Sequence, residues 1–436
     1  MSFFLLYIFI VLVFWRPQEW LIPWMFGIPV LDAVTYMSLL ALMLEFDSGK
    51  VKIDRREPQY FLYIGLFIAG LMSHISWFYW EGLMNNWADM FRLTFFGILL
   101  FSCCTTVARL RWIARAFVIM ALLMAVHAIL QETRGYGFAG QRPIWSWRPD
   151  SDVPLPRSKF FGIFDDPNDL GQFLATSMPL CFVFFKKSSF LKFVIGSWAA
   201  SYLYLGLAAT LSRGAQVGLA ATAGVAAVML IFRRSYTFVL MLGLLACLLV
   251  IPFSGRFLGD AWERVNLWGQ ANWAFKTKPI FGVGRGMIGD YLDRGKAVHN
   301  AYVSCYSELG VFGFFFWFSL VLLAGIGLLQ TRRALRYCDD PEGQWLYRFS
   351  AWGLSAFAGF AASAYFLSRA FIFPLYFLTA MMGAVPVLAR QYAPENRDED
   401  MRLGWSIRDT CILGIPLSLL VIVYVYISIL ILNMQR

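Results

Sequence analysis

Long apolar segments constrain this chain more than any other feature of its sequence. They recur from one end to the other, and many approach the roughly 20 residues that a helix needs to cross a bilayer. Hydrophobic residues make up 59% of the 436 residues and charged residues only 15%, whereas soluble globular proteins have about 25% charged residues. This composition excludes a cytosolic enzyme, a disordered chain and a nucleic-acid-binding domain, despite the net charge of +10.

We therefore predict an all-α, polytopic integral membrane protein, a single transmembrane domain over residues 1–436 with about 12–13 transmembrane helices. A β-barrel is excluded, because its strands alternate apolar and polar residues and lack continuous apolar runs. The predicted spans are 2–15, 21–46, 59–80, 91–107, 111–131, 169–185, 193–211, 214–232, 236–252, 300–329, 349–367, 371–389 and 409–431.

The basic residues predict how these helices are oriented. More than half of the 37 Lys and Arg residues fall in alternate short loops, which the positive-inside rule assigns to the cytoplasm. The N-terminus is then cytoplasmic, and two longer segments, 132–168 and 253–299, face the periplasm or the cell exterior. Both segments carry basic residues, which bind phosphates, and tryptophans, which stack on the faces of sugars. We expect an ordered, cationic, aromatic-rich surface there.

Two arginines are candidates for binding an anion. Arg213 stands in a minimal turn between two apolar spans, where an arginine is costly unless it is paired or lines a cavity. Arg285 lies inside the glycine-rich stretch 282–289, whose backbone N–H groups can approach a phosphate closely. For Arg213, the alternative is an arginine at a helix end whose side chain reaches the interface. For Arg285, the alternative is a plain flexible turn.

His299 is a candidate proton acceptor. It directly precedes Asn300 and the long apolar span from 300, and a helix N-terminus disfavours a protonated imidazole, so we expect a neutral side chain. The alternative is an ordinary interfacial histidine. Glu308 should lie deeper in the same helix and needs a partner, for which Arg369 is the candidate.

Acidic residues mark two further positions. The run 165–169 is typical of a helix start, with Asp166 as N-cap and Asp169 reaching back to complete a capping box; a substrate contact is the alternative. Asp150 and Asp152 have the D-x-D spacing of metal-dependent glycosyltransferases, but so short a match arises easily by chance. The cysteines show no paired spacing, and no cluster indicates a structural metal.

Five motifs in order resemble the O-antigen ligase and Wzy-type O-antigen polymerase superfamily. They are Gly-Ile-Phe-Asp-Asp-Pro-Asn-Asp-Leu-Gly at 162–171, Leu-Ser-Arg-Gly-Ala-Gln at 211–216, Gly-Val-Gly-Arg-Gly at 282–286, His-Asn-Ala-Tyr at 299–302 and Glu-Leu-Gly-Val-Phe-Gly at 308–313. Each motif alone is weak, whereas the ordered set with the matching hydropathy is more specific. The resemblance is good over about 160–330 and rests mainly on hydropathy elsewhere.

The resemblance implies a glycosyltransferase of the bacterial inner membrane whose active site faces the periplasm. Such an enzyme transfers a glycan from an undecaprenyl-diphosphate donor to an acceptor hydroxyl, with inversion and without a metal ion or cofactor. The family's diphosphate-binding arginines correspond to Arg213 and Arg285, and its catalytic base corresponds to His299. The candidate supporting residues are Arg369, Asn300, Glu308, Asp166, Asn168 and Arg157.

The sequence leaves the acceptor open between another lipid-linked glycan, lipid A–core and a protein hydroxyl. Two other classes of function also stay open. A transporter of lipid-linked oligosaccharide would need cationic residues along a cavity but no base. A metal-dependent membrane glycosyltransferase would use Asp150 and Asp152, or Glu19, and would be sensitive to EDTA.

Overall fold

The structure is a computed structural model of the chain. It describes residues 1–25, 27–48, 54–147, 153–184, 190–232, 237, 239–240, 243, 262–367, 369–393 and 403–434. The α-helices, labelled here in chain order, are α1 Ser2–Ile10, α2 Pro17–Trp20, α3 Val30–Asp47, α4 Pro58–Ile75, α5 Trp80–Cys103, α6 Val107–Arg134, α7 Pro167–Ser177, α8 Phe190–Thr210, α9 Arg213–Ile231, α10 Trp262–Thr277, α11 Ala301–Ala334, α12 Pro341–Ala364, α13 Phe373–Ala389 and α14 Ile407–Met434.

Short elements connect these helices. A π-helical turn, Val11–Trp15, extends α1, and a two-stranded antiparallel sheet pairs β1, Ile144–Ser146, with β2, Leu155–Arg157. The 3-10 turns are Pro23–Met25, Phe138–Gly140, Gly162–Phe164, Pro179–Phe182, Ile288–Tyr291, Asp293–Gly295 and Arg390–Tyr392.

The helical content confirms the predicted all-α membrane fold. Seven of the described helices are long and apolar enough to cross a membrane, namely α4, α6, α8, α9, α11, α13 and α14. Each predicted span contains a helix except 236–252, which lies largely outside the described residues. The other helices in predicted spans are shorter or more polar, which is why reading apolar runs alone predicts a larger number.

The core is built around α11, which packs against α4, α10, α12, α13 and α14. Its large aromatic side chains are buried, and their polar atoms have partners. The Trp317 indole donates to the carbonyl of Ala370 at 2.9 Å, and the Tyr306 hydroxyl donates to Asn272 Oδ1 at 2.5 Å. Because a buried N–H or O–H without a partner is costly, these bonds fix α11 against its neighbours.

The central helix is broken at Gly310, where φ is 65° and ψ is −170°. Before the break, two carbonyls accept hydrogen bonds from the amides of Val283 and Gly284, at 2.9 and 3.1 Å. After it, two amides donate to the carbonyls of Pro279 and Ile280, at 2.8 and 3.1 Å. The glycine-rich segment is therefore bonded to the backbone groups that the break releases, as is required within a membrane protein.

We expect Gly310→Ala and Gly282→Ala to prevent stable folding. A Cβ at Gly310 would lie 2.2 Å from the Ile280 carbonyl oxygen, and a Cβ at Gly282 would lie 2.3 Å from the Glu308 backbone, both at positive φ. The strain alone costs about 1–3 kcal/mol per site, and the backbone overlap adds to it. Thermal unfolding of detergent-purified protein measures the loss. Gly325→Ala, where the nearest atom is 4.0 Å away, is the control and should match the parent.

Ion pairs show which helix ends lie together. At one end of the bundle, Glu57 pairs with Arg390, Glu342 lies 3.8 Å from Arg111, and the N-terminal ammonium pairs with Glu45. These helix ends are the ones that the basic loops assign to the cytoplasm. Helix ends assigned to the other side also pair with one another, as the ion pair of Asp32 with Arg92 at 2.9 Å illustrates.

Candidate active site

Three helices begin at the candidate site, and each has its N-cap filled. Asp166 accepts from the Asn168 amide at 2.8 Å before α7, and Ser212 accepts from the Ala215 amide at 3.3 Å before α9. Asn300 accepts from the first amides of α11 at 3.0 and 3.1 Å. The predicted N-cap role of Asp166 is confirmed. Helix N-termini favour negative charge, so their convergence suits an anion.

Asn168 ties two of these helix starts together. Its Oδ1 accepts from Arg157 Nη2 and from the Ser212 hydroxyl, each at 2.9 Å, and its Nδ2 donates to Asp166 Oδ1 at 2.9 Å. Arg157 Nε donates to the Thr210 carbonyl at 3.0 Å. The predicted supporting residues Arg157, Asn168 and Asp166 thus form one hydrogen-bonded group beside Arg213.

Arg369 corrects two predictions. It forms an ion pair with the buried carboxylate of Asp169, and its Nη2 lies 3.6 Å from Asp166 Oδ2. Asp169 therefore neutralises Arg369 instead of completing a capping box. The predicted pairing of Arg369 with Glu308 is also wrong, because Glu308 accepts from the Gly286 amide at 2.8 Å and from the Ser304 hydroxyl at 3.1 Å.

Arg264, on α10, is a further cation in this group. Its Nη1 donates to the Phe366 carbonyl at 3.4 Å, and Arg213 and Asp166 are its charged neighbours. Burial, and then the nearby Arg213 guanidinium, lower the pKa of Arg264. Two neighbouring guanidiniums are stabilised when an anion lies against them, which fits a phosphate ligand.

His299 lies in the same group, just before the N-cap of α11, with a left-handed φ of 54°. Burial is the main cause that lowers its pKa; the positive charge of Arg264 lowers the pKa further, and Asp166 opposes it. The imidazole is therefore neutral at pH 7, as the sequence predicts, although burial and Arg264 supply the cause instead of the helix end. We call Arg157, Arg213, Arg264, His299 and Arg369, with Asp166, Asn168 and Asp169, the cationic cluster.

Arg285 lies in a second group, on the glycine-rich turn. Its amide donates to the Ser73 hydroxyl at 3.1 Å, and its Nη1 donates to Asn86 Oδ1 at 2.8 Å and lies 3.7 Å from Asp89 Oδ2. Its guanidinium carbon is 5.8 Å from the centre of the Phe371 ring. The backbone of Arg285 is therefore held by α4, and its side chain by α5 and the α12–α13 connection.

That connection contacts both groups. Its Phe366 carbonyl accepts from Arg264, its Arg369 pairs with the acids of α7, and its Phe371 lies against Arg285. The Ala370 carbonyl anchors it on Trp317 of α11. Residues 365–372 thus place the two arginine groups on neighbouring parts of one surface.

Residues 198–318 match the family model described as O-antigen ligase. This segment of the chain is similar to the O-antigen ligase family. The match confirms the predicted resemblance. It supports a glycosyltransferase-type activity of the general O-antigen ligase or polymerase kind. No curated protein matches the chain.

The matched segment contains Arg213, Arg264, Arg285, His299 and the broken part of α11. The acids that pair with Arg369 lie outside it.

Several polar residues were missed by sequence reasoning. Arg264 is one of many basic residues in a long loop and has no motif around it. Asn86 and Asp89 fall between the predicted spans 59–80 and 91–107, in a polar stretch that the structure includes in α5.

The remaining candidates lie elsewhere. Asp150 and Asp152 fall outside the described residues, and Glu19 pairs with Arg16. Among the residues that the structure describes, no group of three or more His, Cys, Asp or Glu side chains could hold a metal ion. His127 is hydrogen-bonded to Gln131 and Gln141, both at 2.9 Å, within the helix bundle.

Proposed function

We propose that this protein transfers a glycan from an undecaprenyl-diphosphate donor to an acceptor hydroxyl on the periplasmic side of the bacterial inner membrane. The observation that carries the proposal is the grouping of Arg213 and Arg264 with a neutral, half-buried His299 where three helices begin. Cations for a diphosphate and a base for a hydroxyl are the two chemical requirements of this reaction.

The arginines would stabilise the leaving group. When the bond between the anomeric carbon and the diphosphate oxygen breaks, negative charge grows on the diphosphate. Guanidiniums already fixed in place stabilise that charge without reorganisation, and they keep their own charge at any physiological pH. Arg213 and Arg264 would bind from the cationic cluster, and Arg285, held by Asn86 and Asp89, would bind from the other side of the 365–372 connection.

His299 would act on the acceptor. Its unprotonated ring nitrogen takes the proton of the acceptor hydroxyl while that oxygen attacks the anomeric carbon from the face opposite the diphosphate. The new glycosidic bond forms as the old bond breaks, so the configuration inverts, and the diphosphate leaves with its electron pair. A positioned base of this kind typically contributes about 10²–10⁴-fold to the rate. This route needs no metal ion or cofactor.

The same chemistry requires only that the acceptor carry a hydroxyl group. A second lipid-linked glycan would make the protein a polymerase, lipid A–core a ligase, and a protein side chain an O-oligosaccharyltransferase. Purified protein in liposomes, given lipid-linked donor and each acceptor in turn, would identify which product forms. A product that appears only with divalent metal, or transport without any product, would contradict the proposal and favour one of the two alternatives.

The sidedness of the site can be tested by cysteine labelling. We expect Arg142→Cys, in a background without the seven native cysteines, to react with a membrane-impermeant thiol reagent in intact spheroplasts. Residue 142 is exposed and belongs to the segment predicted to be periplasmic. Arg336→Cys, exposed at the opposite end, is the control and should react only after permeabilisation. The reverse pattern would place the cationic cluster in the cytoplasm.

A further inference from the structure

A second basic surface lies at the end of the bundle opposite the cationic cluster. Arg111 and Arg115 lie one helical turn apart on α6, and Arg111 is a charged neighbour of Arg348 on α12. The 3-10 turn Pro179–Phe182 packs against both helices. We call Arg111, Arg115 and Arg348 the arginine groove.

The charges of the arginine groove are poorly compensated. Arg348 has no hydrogen-bond or ion-pair acceptor among the described residues, its Nε is buried, and Arg111 is its charged neighbour. Arg115 lies over the rings of Trp112 and Phe184, at 4.8 and 5.5 Å from their centres. Among the described residues, the carboxylate that forms an ion pair with these arginines is that of Glu342.

The Glu342 carboxylate is also shared between two partners. Glu342 lies 3.8 Å from Arg111 and accepts a hydrogen bond from the Tyr392 hydroxyl at 2.5 Å. Among the described residues, the three guanidiniums of the arginine groove outnumber the nearby carboxylates of Glu342 and Asp340, so positive charge is in excess there. A half-buried guanidinium without an acceptor carries a desolvation cost, and an anion bound between Arg111 and Arg348 would remove it.

The groove continues into an apolar, aromatic surface. Trp352, one turn beyond Arg348, stacks on Phe182 with ring centres 5.1 Å apart. Trp112 is 54% exposed beside Arg115, and the Trp345 ring lies 5.0 Å from the Arg111 guanidinium carbon. Aromatic rings of this kind occupy the membrane–water interface, where the acyl chains of a lipid begin. A soluble phosphate would use the arginines but not this surface.

We propose that the arginine groove binds the headgroup of an anionic phospholipid, with its phosphodiester between Arg111 and Arg348 and its acyl chains along Trp112, Phe182 and Trp352. Basic pockets between transmembrane helices are known to bind such headgroups. This lipid is distinct from the lipid-linked donor, because the groove lies at the other end of the helices. The proposal does not depend on the proposed function.

The test is lipid binding by the full-length purified protein. In native mass spectrometry, phosphatidylglycerol should be retained and phosphatidylcholine should not. Arg348→Gln should weaken phosphatidylglycerol binding by about tenfold or more, the effect expected for losing a charged hydrogen bond. Arg336→Gln removes the same charge from an exposed arginine at the same end, and should weaken it by about fivefold or less, the effect of general attraction.

Two results would overturn the proposal. Equal effects of Arg348→Gln and Arg336→Gln would show that only the general positive charge of this end attracts lipid. Thermal stabilisation by inorganic phosphate as large as that by phosphatidylglycerol would show that the groove takes a soluble anion. Arg348→Lys guards against loss of folding, since it keeps the charge and should unfold at the parent temperature while binding the lipid less tightly.

Discussion

His299→Ala is expected to abolish glycan transfer while the protein still binds the lipid-linked donor. The acceptor hydroxyl takes part only in the chemical step, so removing the base should lower the rate by about 10²–10⁴-fold without weakening donor affinity. Cells that carry the variant should accumulate lipid-linked glycan. A direct binding measurement with the purified donor and a transfer assay on the same preparation separate the two effects. Near-normal turnover in His299→Gln would identify an ordinary interfacial histidine.

The pH dependence adds a readout that a structural role would not produce. The pKa of His299 is lowered from its usual value near 6.5, so the base is unprotonated at neutral pH and the rate should fall only at more acidic pH. Arg264 contributes to that lowering, and Glu263 opposes it. Arg264→Gln should therefore move the acidic limb of the rate profile to higher pH, and Glu263→Gln should move it to lower pH. Identical profiles would remove the base role.

The fold could be predicted well because its signal is carried by composition over long stretches. A helix in a bilayer must satisfy its own backbone, so apolar runs identify membrane helices with little ambiguity. The same signal fails for a helix that combines a polar part with an apolar part. Helix α5 begins at Trp80, well before the predicted span 91–107, and hydropathy alone does not show that Asn86 and Asp89 of its polar first half contact Arg285 of the glycine-rich turn.

The residues of the candidate site could be predicted from the sequence, but the contacts between them could not. Arg213, Arg285 and His299 were visible because each stands next to a helix start or a glycine turn. Arg264 and the pairing of Arg369 with Asp169 depend on contacts between helices far apart in sequence. The break at Gly310 was equally hidden, since a glycine within a long apolar helix is usually tolerated and only the docked 279–286 segment explains its conformation.

The largest effect on donor binding is expected from Arg213→Lys and Arg285→Lys. Lysine keeps the positive charge but loses the planar pair of N–H donors that matches a phosphate. Each substitution should weaken binding of the undecaprenyl-diphosphate donor by about 1.5–3 kcal/mol, or roughly 10–150-fold, the range for charged hydrogen bonds. Arg142→Lys, at an exposed position in the same predicted periplasmic segment as Arg157, is the matched control and should bind normally.

The anchoring of Arg285 sharpens this prediction. Asn86→Ala leaves the Arg285 side chain chemically unchanged but removes the acceptor that holds its Nη1 at 2.8 Å. If Arg285 binds the diphosphate, Asn86→Ala should weaken donor binding in the parent and have no further effect in Arg285→Lys, because both changes act on one contact. Additive losses would show that Asn86 acts separately from Arg285. Full donor binding in both lysine variants would show that a positive charge alone suffices, and full donor binding in Arg213→Ala and Arg285→Ala would contradict the assignment of these arginines to the diphosphate.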